Sequence, residues 1–368
     1  MNKHSSIEKP LLRTLVPVNS LTDDHLDTLL REASMEVVCP GQKIVSIGEN
    51  DSRLVYLLSG QVLISNRDGD NRLLSADNPE CRFPLSNFKP RIETITAAND
   101  CLVIRLDSTS LDRMLAWDQA STYLMLDINA SRDLDEDADW LMTLLKSNLF
   151  HKVPPVNIRS IIKQFSPTYL AAGETIIRQG ELADCCYFIK EGVVAVYKAI
   201  DQRFPAEPVT ELGPGKCFGE DALVNNTPRN ATIVMKTNGV LMRLDKLDFF
   251  RLLKTPAVDK LTFPQVDSTF AEPPIWIDVR TQDEFEAGHY PGAINMPLNL
   301  LKLKAKMISP NQACITYCNS GRRSEVAAYF LTEEGYKAKA LAGGMAACTH
   351  EQQEIFTVTD EQQLTGTD

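Results

Sequence analysis

The stretch "GETIIRQGELADCCYFIKEGVV", residues 173–194, has a second version in the same chain, "GQKIVSIGENDSRLVYLLSGQV", residues 41–62. At an offset of 132 residues Gly41 meets Gly173, Ile44 meets Ile176, Gly48 meets Gly180, Glu49 meets Glu181 and Gly60 meets Gly192. Glycines at turn spacing, with β-branched and aromatic residues alternating between them, read as short antiparallel strands. Further on the offset becomes 138, and "PRIETITAANDCLVIRLD" from Pro90 matches "PRNATIVMKTNGVLMRLD" from Pro228. The chain therefore carries one β-rich unit twice.

Helical patterns flank both copies. "SLTDDHLDTLLREA" precedes the first, with Leu26, Leu29 and Leu30 on one face, and "WLMTLLKSNLFHKVPPVNIRSIIKQF" precedes the second. Short helical segments, "STSLDRMLAW" and "DKLDFFRLLK", close them. After the repeats the pattern changes. "IWIDV" and "NQACITYC" read as apolar strands and "SEVAAYFLTEEGY" as a helix closed by Gly335, the alternation of a parallel α/β sheet. The expected fold class is multidomain α+β: two helix-flanked antiparallel domains, residues 1–131 and 140–255, then a C-terminal α/β domain, 273–350. Residues 256–272 read as a proline-rich linker, and 351–368 as a polar, frayed tail.

Composition narrows the function classes. At 43% apolar and 24% charged the chain is of the globular type, and 368 residues exceed one ordinary domain. No run approaches the ~18 apolar residues a membrane helix needs. The opening "MNKHSSIEKPLLRTL" lacks the order of a secretion signal, so the expected location is cytoplasmic, with no membrane partner. A formal net charge of −11 argues against a nucleic-acid partner. Nine cysteines without framework spacing read as reduced thiols. Neither Cys185–Cys186 nor Cys314/Cys318 has a partner pair at zinc-like spacing, so no metal is expected.

"FGEDALVNNTPRNATI", residues 218–233, resembles the phosphate-binding cassette of cyclic-nucleotide-binding domains. A cyclic phosphate is a compact monoanion, and Arg229 offers it a planar fork of donors. Gly219 and the small Ala222 and Ala231 let backbone N–H groups approach the same oxygens. The resemblance implies a β-roll, jelly-roll-like fold for both repeats and assigns Glu220 to the ribose hydroxyl. It makes a cyclic nucleotide the regulatory ligand, with cyclic AMP favoured over cyclic GMP, and implies a homodimer paired through the closing helices. Two residues depart from the pattern: Asp221 stands where an aliphatic is usual, and Asn230 could donate to phosphate or to a purine edge. In the first copy "NPECRFPLSNFK" holds no Gly–Glu pair, so Arg91 reads as an ordinary surface charge and the first domain as a degenerate copy.

The C-terminal stretch resembles a single rhodanese domain in "IDVRTQDEFEAGHYPGAINMPL", the loop "CNSGRRS" and "LAGGM". A thiolate is the nucleophilic form of cysteine, and inward backbone N–H groups, a following helix N-terminus and nearby arginines lower a thiol's pKa. The loop residues Cys318, Asn319, Ser320, Gly321, Arg322 and Arg323 are the candidate catalytic set, the two arginines holding the oxygens of a thiosulfate-like donor. The resemblance implies that Cys318 takes sulfane sulfur as a persulfide and passes it to a thiophilic acceptor. Four residues separate Cys318 from Arg323, as in the sulfur-handling members. Cys314 reads as core rather than a resolving thiol, Asp278 and Arg280 as a brace, and His289 as turn packing rather than a base. The expected function is a cyclic-nucleotide-responsive sulfurtransferase. The alternative is a non-catalytic signalling or scaffold protein that senses or relays persulfide through a partner.

Overall fold

The computed structural model describes residues 9–67, 69–130, 154–157, 164–199, 206–254 and 256–357. It divides into two units, one formed by residues 1–120 together with 258–368 and the other by 121–257.

The first copy of the repeat supplies seven strands: β1 (Ser34–Val38), β2 (Lys43–Val45), β3 (Arg53–Ser59), β4 (Gln61–Ser65), β5 (Asn71–Ser75), β6 (Thr94–Ala97) and β7 (Cys101–Asp107). They pair as two antiparallel sheets, β1-β7-β3 and β2-β6-β4-β5. Val55, Val62, Ile95 and Val103 are fully buried in one core cluster of this roll. Each such side chain contributes about 1.5–3 kcal/mol of burial. A second cluster carries Leu26 and Leu29 of the helix Asp23–Glu32, with Leu30 packed against it, as the leucine spacing predicts. The closing helix is longer than its motif suggests and runs Ser108–Ala130.

The second unit repeats this plan with β8 (Ser166–Leu170), β9 (Thr175–Ile177), β10 (Cys185–Glu191), β11 (Val194–Lys198), β12 (Glu207–Leu212), β13 (Cys217–Phe218), β14 (Thr232–Met235) and β15 (Gly239–Asp245). Its sheets are β13-β10-β15-β8 and β12-β11-β14-β9. Strand for strand this is the first roll, apart from β13, which has no counterpart there. Even the irregularity is copied: β3 slips register between Leu57 and Ser59, and β10 between Ile189 and Glu191. The glycine just after each slip has a reason. A Cβ on Gly60 would lie 2.5 Å from Asp100 O, and one on Gly192 2.9 Å from Asn238 O. The second closing helix is short, Lys246–Leu253. The helical pattern over 140–165 falls mostly outside the described residues.

The C-terminal part of the first unit is a parallel sheet of β16 (Lys260–Leu261), β17 (Ile275–Asp278), β18 (Ile294–Asn295), β19 (Ala313–Tyr317) and β20 (Lys337–Leu341), in the order β16-β20-β19-β17-β18. Two expectations are corrected here. Residues 260–269, read as linker, form the edge strand β16 and the helix Phe263–Thr269, opened by a Thr262–Gln265 capping box. Residues 351–357, read as frayed tail, continue the helix His350–Glu354 into a turn that buries Phe356. Its ring lies 5.0 Å from Tyr317 and 5.6 Å from Tyr290, and Trp276 stacks on Tyr290 at 4.1 Å. An aromatic core outweighs the polar composition of the segment that closes it. Among the described residues no helix is long and apolar enough to cross a membrane.

Candidate functional site

In the second unit β13 delivers Gly219, whose φ of 87° opens the helix Glu220–Asn225. Only glycine fits this position. A Cβ there would adopt a disfavoured backbone and sit 2.7 Å from Arg229 Nη1. Arg229, 5% exposed, donates through Nη1 to Gly219 O at 2.8 Å and through Nη2 to Cys185 O at 2.7 Å. Asp184 Oδ1 lies 3.3 Å from Nη2. Its backbone is locked as well, Arg229 N donating to Glu181 O and Gly180 N to Arg229 O. Ala222 and Ala231 are buried, Glu220 is half-buried, and Asp221 and Asn230 face solvent. The expected cassette residues thus share one short stretch, with Arg229 drawn against Gly219.

Arg91 of the first roll is not a surface charge. It is 1% exposed and donates to Arg53 O at 2.7 Å and Ser86 O at 2.9 Å, with Asp51 Oδ1 at 3.0 Å. Arg53 stands where Cys185 stands in the second roll, and Arg91 exchanges backbone bonds with Gly48 and Glu49 as Arg229 does with Gly180 and Glu181. The missing Gly–Glu pair left a clamp in place of a solvated side chain. Residues 79–82 form a 3-10 turn instead of a β13 equivalent.

In the first unit β19 lies at the centre of the parallel sheet and ends at Tyr317, immediately before Cys318. The loop then turns at Gly321, φ 88°, into the helix Arg322–Glu333. The "LAGGM" segment grips the loop from behind: Met345 N donates to Cys318 O and Ala346 N to Asn319 O, both at 2.9 Å. A Cβ on Gly344 would lie 2.4 Å from Cys318 O, so the approach requires glycine. Asn319 is itself a brace, its Nδ2 donating to Glu284 Oε1 at 2.8 Å while Arg280 Nη1 approaches its Oδ1 at 3.5 Å. The Arg280–Asp278 brace closes at 2.6 Å. Cys314 is buried core, and His289 is held at its turn by Phe285 O at 3.0 Å and the Phe285 ring.

The two arginines part company. Arg323 is fully buried and binds Glu284 with both terminal nitrogens, at 2.7 and 2.8 Å. Those donors are therefore spent on Glu284 rather than turned to a sulfur donor. Arg322 is exposed and remains the cation that can meet one. Burial alone would raise the Glu284 carboxyl, but Arg323 and Arg280 overcome it and hold the group at about 2.

Cys318 is 1% exposed. Ser324 Oγ donates to Gly321 O at 2.9 Å, so it turns a lone pair to Cys318 Sγ 3.6 Å away. Burial pushes the Cys318 thiol above its ordinary value; Arg323 opposes this and Asp112 reinforces it. The lowered thiol expected from the loop is not what this conformation holds, because desolvation outweighs the neighbouring cation. Beside the loop lies a cavity of about 440 Å³, bounded by Leu54, Phe83, Leu85 and Ser86 of the first roll and by Asn319 and Ser320. Asp112, on the first roll's closing helix, was invisible to motif reading because nothing in "STSLDRMLAW" marks it.

Residues 167–256 match the family model for the cyclic nucleotide-binding domain, and residues 263–351 match that for the rhodanese-like domain. The chain thus carries a cyclic nucleotide-binding domain followed by a rhodanese-like domain. Similar proteins include the cAMP-dependent protein kinase regulatory subunit of Eremothecium gossypii, 36% identical over 31% of this chain and 24% of that protein. The cGMP-dependent protein kinase egl-4 of Caenorhabditis briggsae is 24% identical over 98% of this chain and 45% of that protein. The chain therefore spans a quarter to under half of the length of these relatives. Among solved structures, the regulatory domain of Toxoplasma gondii PKA with cAMP is 21% identical, covering 66% of this chain and 90% of that one, with a TM-score of 0.30. The fold rests on the strand pairing described above.

Proposed function

We propose that this chain is a cyclic-nucleotide-responsive sulfurtransferase. Cys318 thiolate attacks the outer sulfur of a thiosulfate-like donor, the S–S bond breaks, and sulfite leaves with the electron pair. A thiophilic acceptor then attacks the outer sulfur of the Cys318 persulfide and releases the thiolate. Cyclic AMP, ahead of cyclic GMP, is the regulatory ligand, bound by Arg229, Glu220 and the Gly219 turn. The first roll, degenerate in its cassette, does not take a nucleotide. The observation that carries this reading is the placement of Cys318 at the end of the central strand, in a loop whose carbonyls Met345 and Ala346 fasten from behind. Those two bonds fix the loop backbone on either side of the Cys318–Asn319 peptide.

The second reading, a persulfide sensor or relay that works through a partner, is favoured by the 1% exposure of Cys318. Thiosulfate-to-cyanide sulfur transfer, with Cys318→Ser as the blank and with cyclic AMP or cyclic GMP added, separates the two. A Cys318-dependent rate that shifts with a nucleotide supports the enzyme. A persulfidated Cys318 without turnover supports the relay. A rate indifferent to Cys318 overturns both.

A further inference from the structure

The cluster behind the Cys318 loop is completed from outside the rhodanese-like domain. Asp112, on the helix that closes the first roll, is 8% exposed, and its Oδ1 stands 3.8 Å from a terminal nitrogen of Arg323. Asp112 and Ser320 of the loop both line the cavity beside Cys318. The two parts are fastened around this contact. Asn19 Nδ2 and Arg82 Nη2 reach Asp283 Oδ2 at 3.0 and 3.1 Å, and Gln353 Nε2 reaches Lys89 O at 3.3 Å. Phe88 stacks on His350, ring centres 5.8 Å apart. A carboxylate is costly to bury unless it is paired. Glu284 already takes both terminal nitrogens of Arg323, so a merely neutralising role for Asp112 would be redundant.

We propose that Asp112 is a positioning residue of the Cys318 site, acting through Arg323. It ties Arg323, at the end of the loop, to the first roll and draws off part of the Arg323 charge that would otherwise favour a thiolate. The degenerate roll thereby has a task unrelated to nucleotide binding: it completes the cysteine site. The charged and titratable groups around this cluster are Arg323 and Arg322 on the helix after the loop, Glu284 and Arg280 after β17, and Asp112 and Tyr56 from the first roll. Burial pushes the Asp112 carboxyl up and Arg323 opposes this; in its ionised form Asp112 offsets the Arg323 field on Cys318, so removing that charge lets the thiol ionise more readily.

This rests on Cys318 being the reactive cysteine, and the test does not use sulfur transfer. The full chain is treated with iodoacetamide across pH 6–10, and alkylation of the Cys318 peptide is followed by mass spectrometry. Asp112→Asn is expected to lower the midpoint by about one unit, with roughly tenfold faster alkylation near neutral pH. Asp112→Glu should restore the wild-type profile. Asp112→Ser removes the same charge with a smaller side chain and should shift the midpoint in the same direction, so it decides the matter if Asp112→Asn fails to fold. Unchanged midpoints in both variants overturn the proposal, as does an Asp112→Glu profile that follows Asp112→Asn. A shifted profile in a chain without sulfur transfer would overturn the enzymatic reading and leave the role of Asp112 standing.

Discussion

Arg229 Nη1 donates to the carbonyl of Gly219 at 2.8 Å, so the guanidinium proposed to meet a ligand phosphate is held by the turn proposed to receive it. A phosphate arriving here competes with that carbonyl and with Cys185 O for the same two nitrogens. The fork geometry matters more than the charge, because a lysine offers no second nitrogen at the same angle.

Arg229→Lys should therefore weaken cyclic nucleotide binding by at least tenfold in isothermal titration calorimetry, and Arg229→Ala should abolish it. Gly219→Ala should also weaken it, since its Cβ displaces the Arg229 guanidinium. Wild-type affinity in all three would place the ligand elsewhere.

Glu284 sets an acid limit. Its carboxyl sits at about 2 in the folded chain against an ordinary 4.5, so it adds stability above pH 4.5. That contribution is lost as pH falls from about 4.5 toward 2, and amounts to on the order of 3 kcal/mol. Urea unfolding of wild type over that range should show the loss. Glu284→Gln leaves Arg323 buried without its carboxylate and should cost about 3–5 kcal/mol at neutral pH. A Glu284→Gln chain as stable as wild type would mean that the pair contributes no net stability.

Gly344→Ala tests the grip on the loop. Its Cβ would strike Cys318 O and Gly321 N, both backbone atoms, at 2.4 and 2.5 Å. The loop must shift, and alkylation of Cys318 should change several-fold in rate while far-ultraviolet circular dichroism stays the same. Gly335→Ala is the control, at a positive-φ glycine with open space around its would-be Cβ. Equal effects from the two would make the result one of backbone strain alone.

The repeat was legible because glycines and alternating apolar residues are local signals, and the same slip after residues 57 and 189 obeys them. The Cys318 loop was legible because its residue types sit side by side. The edge strand β16 was not, being two residues long amid prolines, although Thr262-x-x-Gln265 carried a helix-start signal beside it. The burial of Phe356 and Arg91 depends on what packs over them, and no local pattern states that. Asp112 is the clearest case, one of three aspartates on a helix, whose partner Arg323 lies some two hundred residues away in sequence.

The unit that holds the cysteine site is discontinuous, residues 1–120 and 258–368 with the other unit between them. During synthesis the ribosome completes the first roll, then all of residues 121–257, before any of the surface that faces Asp112 exists. At about 5–20 residues per second that delay is on the order of ten seconds or more. The cysteine site is thus assembled only after the intervening unit, and a nascent chain does not acquire it until the residues beyond 258 have emerged.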